Sequence, residues 1–204
     1  MKKYVKWLIC LLCLFIFVVT SIKVLNESEF VLDNVFYEFM DESLIGDNMT
    51  MVMKFITWFG GISGIILMCI LSLFIFKDRK INTTIVCNLV IVTILNTLFK
   101  VIFMRARPDI NHLVIETGYS FPSGHSMISM AFYGYLIYII YTHKDNARFR
   151  WLLISLISIL VLLIGISRIY LGVHYTSDVV GGFCFSIAYL IIYISIVKKI
   201  IKEI

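Results

Sequence analysis

The chain has 204 residues, 60% of them hydrophobic and 15% charged, with a mean hydropathy of +0.95. Soluble domains carry roughly 25% charged and 45–50% apolar residues, so this composition excludes an ordinary cytosolic globule, and its hydrophobicity excludes a disordered chain. The net charge of +5 is too small to mark a nucleic-acid surface by itself, and no nucleic-acid partner is expected.

A bilayer core about 30 Å thick takes roughly 20 apolar helical residues to cross. Six such runs follow one another: Trp7–Leu25, Val52–Phe76, Ile81–Phe103, Ser126–Thr142, Trp151–Ser167 and Val179–Val197. The pattern predicts an all-α polytopic membrane protein with six transmembrane helices, forming a single domain over residues 1–204. The first run follows Lys2, Lys3 and Lys6, as a signal peptide would. No small-x-small cleavage site comes after it, and a retained span is the preferred reading.

The loops orient the spans. Twelve of the eighteen basic residues fall at the N-terminus (Lys2, Lys3, Lys6), in two alternate breaks (Lys77, Arg79, Lys80; Lys144, Arg148, Arg150) and in the tail (Lys198, Lys199, Lys202). An excess of Lys and Arg marks cytoplasmic loops, which places both termini in the cytoplasm. The first outer loop holds seven acids (Glu27, Glu29, Asp33, Glu38, Asp41, Glu42, Asp47) and no Lys or Arg between Asn26 and Thr50. Within it Leu32, Val35, Phe36, Phe39 and Met40 recur at helical spacing, with Asp33, Asp41 and Glu42 off the stripe. A short amphipathic helix on the membrane surface fits that pattern, as does a solvated linker. The five cysteines, Cys10, Cys13, Cys69, Cys87 and Cys184, all lie inside apolar runs, where an odd number reads as small hydrophobes and not as a disulfide framework.

Six basic residues stand outside the cytoplasmic clusters. Lys23 and Lys54 sit at span ends, where long side chains snorkel to the interface. Lys100, Arg105, Arg107 and Arg168 lie at the end of the third span, in the loop after it, and at the end of the fifth. Because successive spans reverse direction, the end of an odd span and the start of the next even one share a membrane face. Lys100, Arg107, Ser123, His125, Arg168, His174 and Asp178 can therefore converge on the outer side.

Lys100 and Arg107 are nearly two helical turns apart and project from one face, while Pro108 disfavours helix at Arg107. Pro122-Ser123-Gly124-His125 reads as a helix start, with Ser123 as cap and Gly124 permitting close approach of a ligand to the backbone. Free N–H groups at such a start favour an anion, phosphate above all. His174 and Asp178 are four residues apart, so on a helix the carboxylate can fix the imidazole's tautomer and leave its other nitrogen for a substrate. The same pair could ligate zinc, but three cations beside it would repel a dication and attract an oxyanion.

Together these segments resemble the three-part signature of the type-2 phosphatidic acid phosphatase superfamily, the lipid phosphate phosphatases. Its pattern is Lys, six residues, Arg-Pro; Pro-Ser-Gly-His; and Ser-Arg, five residues, His, three residues, Asp. Lys100 to Arg107-Pro108, Pro122 to His125, and Ser167-Arg168 through His174 to Asp178 match every position. The resemblance implies a phosphatase without metal or cofactor. Lys100, Arg107, Arg168, Ser123 and Gly124 would bind phosphate, with His174 as nucleophile giving a phosphohistidine. His125 would be general acid and base, and Asp178 would orient His174. The implied partner is a lipid phosphate at the extracytoplasmic face of a bacterial cell membrane: phosphatidylglycerol phosphate, undecaprenyl pyrophosphate or phosphatidate. Gly124 and the run from Gly165 to His174 look closest to the phosphatidylglycerophosphatase B type of Gram-positive bacteria. A lipid phosphotransferase and a non-enzymatic transporter or scaffold are the alternatives, and no oligomeric state is implied.

Overall fold

Backbone N–H and C=O groups find no water inside a bilayer, so an apolar run must bond within itself as helix or close into a barrel. The computed structural model describes residues 3–28, 30–110, 112–143 and 147–202. Among them it contains helices and no strands: α1 (Lys3–Leu25), α2 (Val31–Leu44), α3 (Asp47–Trp58), α4 (Ile62–Ile75), α5 (Arg79–Phe103), α6 (Gly124–His143), α7 (Ala147–Tyr170) and α8 (Thr176–Lys202). Lys2, Glu29 and Lys144, used above to orient the loops, lie outside the described residues.

α1, α5, α7 and α8 are long and apolar enough to cross a membrane. Side chains such as Leu11, Phe15, Phe74 and Leu156 remain exposed around the bundle, as expected of surfaces that face lipid. The chain is a multi-pass membrane protein.

Two expected spans differ. The run Val52–Phe76 is not one helix: α3 and α4 meet at a 51° bend, and the pair counts as a fifth span only if taken together. The bend falls at Gly60 and Gly61, and a Cβ on Gly60 would lie 2.5 Å from Ile164 Cγ2 and 3.2 Å from His125 Cδ2. Only glycine admits those neighbours at that distance, so the break lets the α3–α4 pair close onto α6 and α7. The expected fourth span became α6, which is not among the helices that qualify by length and composition. α6 carries Ser126, Ser129, Gly134 and four tyrosines, and Met127, Ala131, Phe132, Tyr133 and Ile139 on it are buried. A helix enclosed by α5, α7 and α8 has little contact with lipid and needs less hydrophobicity.

Two buried side chains bond across helices, as low-dielectric surroundings favour. Asn88 Nδ2 donates to the Ala131 carbonyl at 2.9 Å and Ser186 Oγ to the Met127 carbonyl at 2.7 Å, tying α5 and α8 to α6. Glycines set the closest approach: a Cβ on Gly182 would sit 3.1 Å from the Ser123 carbonyl oxygen and 3.3 Å from Met127 N. α8 thereby lies directly against the start of α6. Behind that start, Phe17, Phe99, Phe103, Phe121 and Phe185 form an aromatic cluster joining α1, α5 and α8.

α2 occupies the outer-loop segment. Leu32, Val35, Phe36 and Phe39 are exposed, whereas Met40 packs with Met53, Tyr170, Leu171 and Val173. Asp33, expected on the polar side, is buried; Arg105 and Ser177, described below, explain why. All five cysteines are free thiols, with Cys87 exposed and Cys10, Cys13 and Cys69 buried.

Candidate active site

The ends of α5 and α7 and the starts of α6 and α8 gather at one end of the bundle. Lys100 ends α5, Arg107 follows in the connecting segment, Ser123 precedes α6, and Gly124 and His125 open it. Arg168 stands in the last turn of α7, His174 in the short connection after it, and Asp178 in the first turn of α8. Lys100, Arg107, Gly124, His125 and His174 line one cavity of about 450 Å³. Its other walls are Glu116 and Thr117, Asn96 and Thr93 of α5, and the apolar Ile62, Ile65 and Ile66 of α4. The cavity is thus cationic at one end and apolar between α4 and α5.

His174 is held from both sides. Its Nδ1 lies 3.4 Å from Asp178 Oδ2 and 3.2 Å from Ser120 Oγ, and its Nε2 lies 3.3 Å from an Arg107 guanidinium nitrogen. Burial pushes the imidazole pKa down to about 4, with the hydrogen bond and charge of Asp178 opposing the shift. The ring is therefore neutral near pH 7, and with Nδ1 carrying the proton toward Asp178 its Nε2 lone pair faces the cations. That tautomer is the one a nitrogen nucleophile requires.

Arg107 is fixed by backbone carbonyls. It donates to Val173 at 2.7 Å, Thr117 at 2.9 Å and Gly118 at 3.1 Å. Desolvation lowers its pKa from the ordinary arginine value, countered by Glu116 and Asp178. Arg168 is almost completely buried and donates to Thr57 Oγ1 at 2.9 Å and to Glu116 Oε1 at 2.5 Å; its Nε has no partner among the described residues. Glu116 Oε2 stands 3.8 Å from Arg107. A carboxylate therefore bridges the two arginines. Lys100 Nζ donates to the Tyr119 carbonyl.

The start of α6 has the character of an anion site. The first helical hydrogen bond runs from Met127 N to the Ser123 carbonyl at 2.9 Å, so the N–H groups of Gly124 and His125 precede it. A Cβ on Gly124 would lie 3.1 Å from Asn96 Oδ1, so the missing side chain lets Asn96 of α5 come close. Ser123 caps the helix, as the sequence suggested. Its hydroxyl accepts from Ser126 N at 3.4 Å and Ser126 Oγ at 3.0 Å and does not line the cavity. Short side chains before a helix prefer its free N–H groups to solvent, and Ser123 does the same here.

Four residues of this arrangement were not singled out by the sequence. Ser120 donates to Asp178 Oδ2, Glu116 joins the arginines, and Arg105, itself paired with Asp33, holds Asp178 from the far side. Arg105 carried a faint signal, as a basic residue outside the cytoplasmic clusters. Among the described residues no group of three or more His, Cys, Asp or Glu side chains is placed to hold a metal ion.

Comparison with known proteins identifies the family. The PAP2 superfamily model matches residues 81–202, which contain every candidate site residue from Lys100 to Asp178. Phosphatidylglycerophosphatase B of Bacillus subtilis is 40% identical over 91 residues, 44% of this chain and 45% of that protein's length. An undecaprenyl-diphosphatase of Sulfolobus acidocaldarius is 28% identical over 189 residues, 89% of this chain and 86% of that one. The crystal structure of a transmembrane PAP2 type phosphatidylglycerolphosphate phosphatase from Bacillus subtilis superposes with a TM-score of 0.82, at 24% identity, over 94% of this chain and 96% of the other. Aquifex aeolicus LpxE gives 0.67 at 23% identity, over 82% and 97%. These two likenesses establish a shared fold. Since the family match spans well over half of the 204 residues, the chain belongs to the PAP2 superfamily.

Proposed function

We propose that the protein is a membrane lipid phosphate phosphatase working through a phosphohistidine. The observation that carries this reading is the cavity shared by Lys100, Arg107, His125 and His174, which is cationic where a phosphate would sit and apolar where a lipid chain would leave. Lys100, Arg107 and Arg168, with the N–H of Gly124, hold the phosphoryl oxygens and stabilise the charge spread over them in the transition state. His174 Nε2 forms a bond to phosphorus as the bond to the lipid oxygen breaks, and His125 gives that oxygen its proton. Water then attacks the phosphohistidine, His125 takes the proton, and inorganic phosphate leaves with His174 restored. Asp178 orients His174 throughout. The arginines and lysine supply the positive charge, so the reaction takes no metal.

The relatives guide the substrate. One is a phosphatidylglycerophosphatase and another an undecaprenyl-diphosphatase; phosphatidylglycerol phosphate is proposed first, with undecaprenyl pyrophosphate and phosphatidate as further substrates. α6 and the bent α3–α4 pair complete six spans, both termini lie in the cytoplasm of a bacterial cell, and the site opens on the outer face with α2 on the membrane surface. Residues 1–204 act as one phosphatase domain.

The decisive experiment is phosphate release by purified protein from a panel of these lipid phosphates. Stoichiometric inorganic phosphate, lost by many orders of magnitude in His174→Ala and unaffected by chelator, is expected. Phosphate delivered to a second lipid alcohol would make it a transferase, and full activity in His174→Ala would end the phosphohistidine reading. Ile115 is almost fully exposed, and an Ile115→Cys variant should react with an impermeant reagent from outside; labelling only from the cytoplasm would invert the topology.

A further inference from the structure

Asp178 is completely buried, and a buried carboxylate needs each oxygen satisfied. The two oxygens have different partners. Oδ2 faces His174 and accepts from Ser120 Oγ and from Tyr175 N, the latter at 2.9 Å. Oδ1 is held by Arg105 at 2.6 Å. Arg105 does not line the cavity that holds Lys100, Arg107 and His174. It lies on the opposite side of Asp178, its guanidinium 4.0 Å from the Tyr175 ring centre.

Arg105 is in turn fixed by α2. Asp33 Oδ2 accepts from it at 2.9 Å, and the same carboxylate accepts from Ser177 N and Ser177 Oγ, both at 2.7 Å. The side chains of Asp33 and Arg105 are 4% and 15% exposed. Asp33 thus caps the start of α8 one residue before Asp178 and clamps the cation that grips Asp178. A salt bridge in such an enclosed place persists only when all its donors and acceptors are used, and here the arginine fork spans two carboxylates on different helices.

We propose that Arg105, anchored by Asp33 of α2, is a positioning residue that selects the Asp178 oxygen presented to His174 and sets the charge felt by the imidazole. This rests on the reading of His174 as nucleophile. With Arg105 gripping Oδ1, the carboxylate cannot rotate, and Oδ2 stays aimed at Nδ1. With Arg105 removed, Oδ1 loses its partner, only Ser120 and Tyr175 N hold the carboxylate, and its negative charge acts on His174 uncompensated. With Asp33 neutralised, Arg105 remains but its own charge is less balanced.

The two changes pull His174 in opposite directions. Arg105→Ala should raise the His174 pKa, and Asp33→Asn should lower it. Neither substitution removes the other charged or titratable groups facing His174: Lys100 on α5, His125 on α6, Arg168 on α7, Asp178 on α8, Arg107 and Glu116 in the segment after α5, Tyr175 before α8, and Glu38 on α2.

The experiment follows the protein in detergent with ¹³C-labelled histidine, the His174 resonance assigned by its loss in His174→Ala, alongside steady-state kinetics on phosphatidylglycerol phosphate. A misplaced catalytic group costs about 10²-fold in rate, so Arg105→Ala should lose about that factor in kcat with KM little changed and titrate at higher pH. Asp33→Asn should lose less and titrate at lower pH. Arg105→Lys keeps the charge and should restore the wild-type titration with part of the rate. Unchanged kcat and titration in Arg105→Ala, or shifts of the same sign in the two variants, would overturn the proposal. If Arg105→Ala does not fold, Asp33→Asn and Arg105→Lys decide by the same criteria. An active His174→Ala protein would instead overturn the underlying nucleophile assignment, which separates the two failures.

Discussion

Glu116 occupies the place where an incoming phosphate would meet the arginines, and replacing it tests whether that cluster is an anion site at all. Its carboxylate lies 2.5 Å from Arg168 and 3.8 Å from Arg107, so phosphate binding has to displace a charge-assisted hydrogen bond. Such bonds contribute about 1.5–3 kcal/mol net. The Glu116 side chain is 28% exposed, and screening by solvent keeps the cost at or just below the lower end of that range. In Glu116→Gln the amide carbonyl still accepts from Arg168, so the buried guanidinium is not orphaned, but the competing negative charge is gone. About 1.4 kcal/mol corresponds to tenfold in affinity. Orthovanadate, a phosphate analogue, should therefore inhibit Glu116→Gln at roughly tenfold lower concentration than wild type, and inorganic phosphate should show the same trend. The assay is competitive inhibition of lipid phosphate hydrolysis at fixed ionic strength. Unchanged or weaker vanadate inhibition would refute the idea that Glu116 and phosphate compete for Arg107 and Arg168.

Two further outcomes follow from the geometry. His174 should titrate near pH 4 in the folded protein, not near its ordinary 6.5; the unfolded chain then binds a proton that the folded one refuses, so stability should fall as pH drops from about 6.5 toward 4. Histidine NMR and thermal unfolding across that window check both, and titration near 6.5 would contradict the burial argument. Gly182→Ala places a Cβ 3.1 Å from the Ser123 carbonyl oxygen and 3.3 Å from Met127 N, which must move α8 and Asp178 away from the start of α6. Overpacking of this kind costs about 1–3 kcal/mol, and melting temperature and kcat should fall together; an unaffected kcat would show that this contact does not set the site.

Much of the bundle and part of the site could be read before any coordinates. Apolar runs of span length dictate helices because the bilayer gives their backbones no other partner, and α1, α5, α7 and α8 follow those runs closely. Lys100, Arg107, His125 and His174 could be assigned to one place because alternate span ends share a membrane face; they line one cavity. Ser123 was legible as a helix cap, and its hydroxyl accepts from Ser126 N and Ser126 Oγ; its phosphate contact was implied by the resemblance alone.

What the amino-acid order determined by itself was local and periodic: helix where hydrophobicity persists, a break from helix before Pro108, and a spacing such as His174 to Asp178. Tertiary structure decided the pairings across long stretches of chain. Asp33 and Arg105 are 72 residues apart, as the sequence separation of their hydrogen bond shows, and no local period relates an acid of α2 to a base beyond α5. Gly60 looks like an ordinary small residue in a greasy run until Ile164 and His125 come against it. α6, read from the sequence as the fourth span, falls short of the other long helices in apolar character, yet lies enclosed by its neighbours. In each case the residue's role depends on which distant surface packs against it. That is set by the whole bundle's competition to bury apolar area and satisfy polar groups.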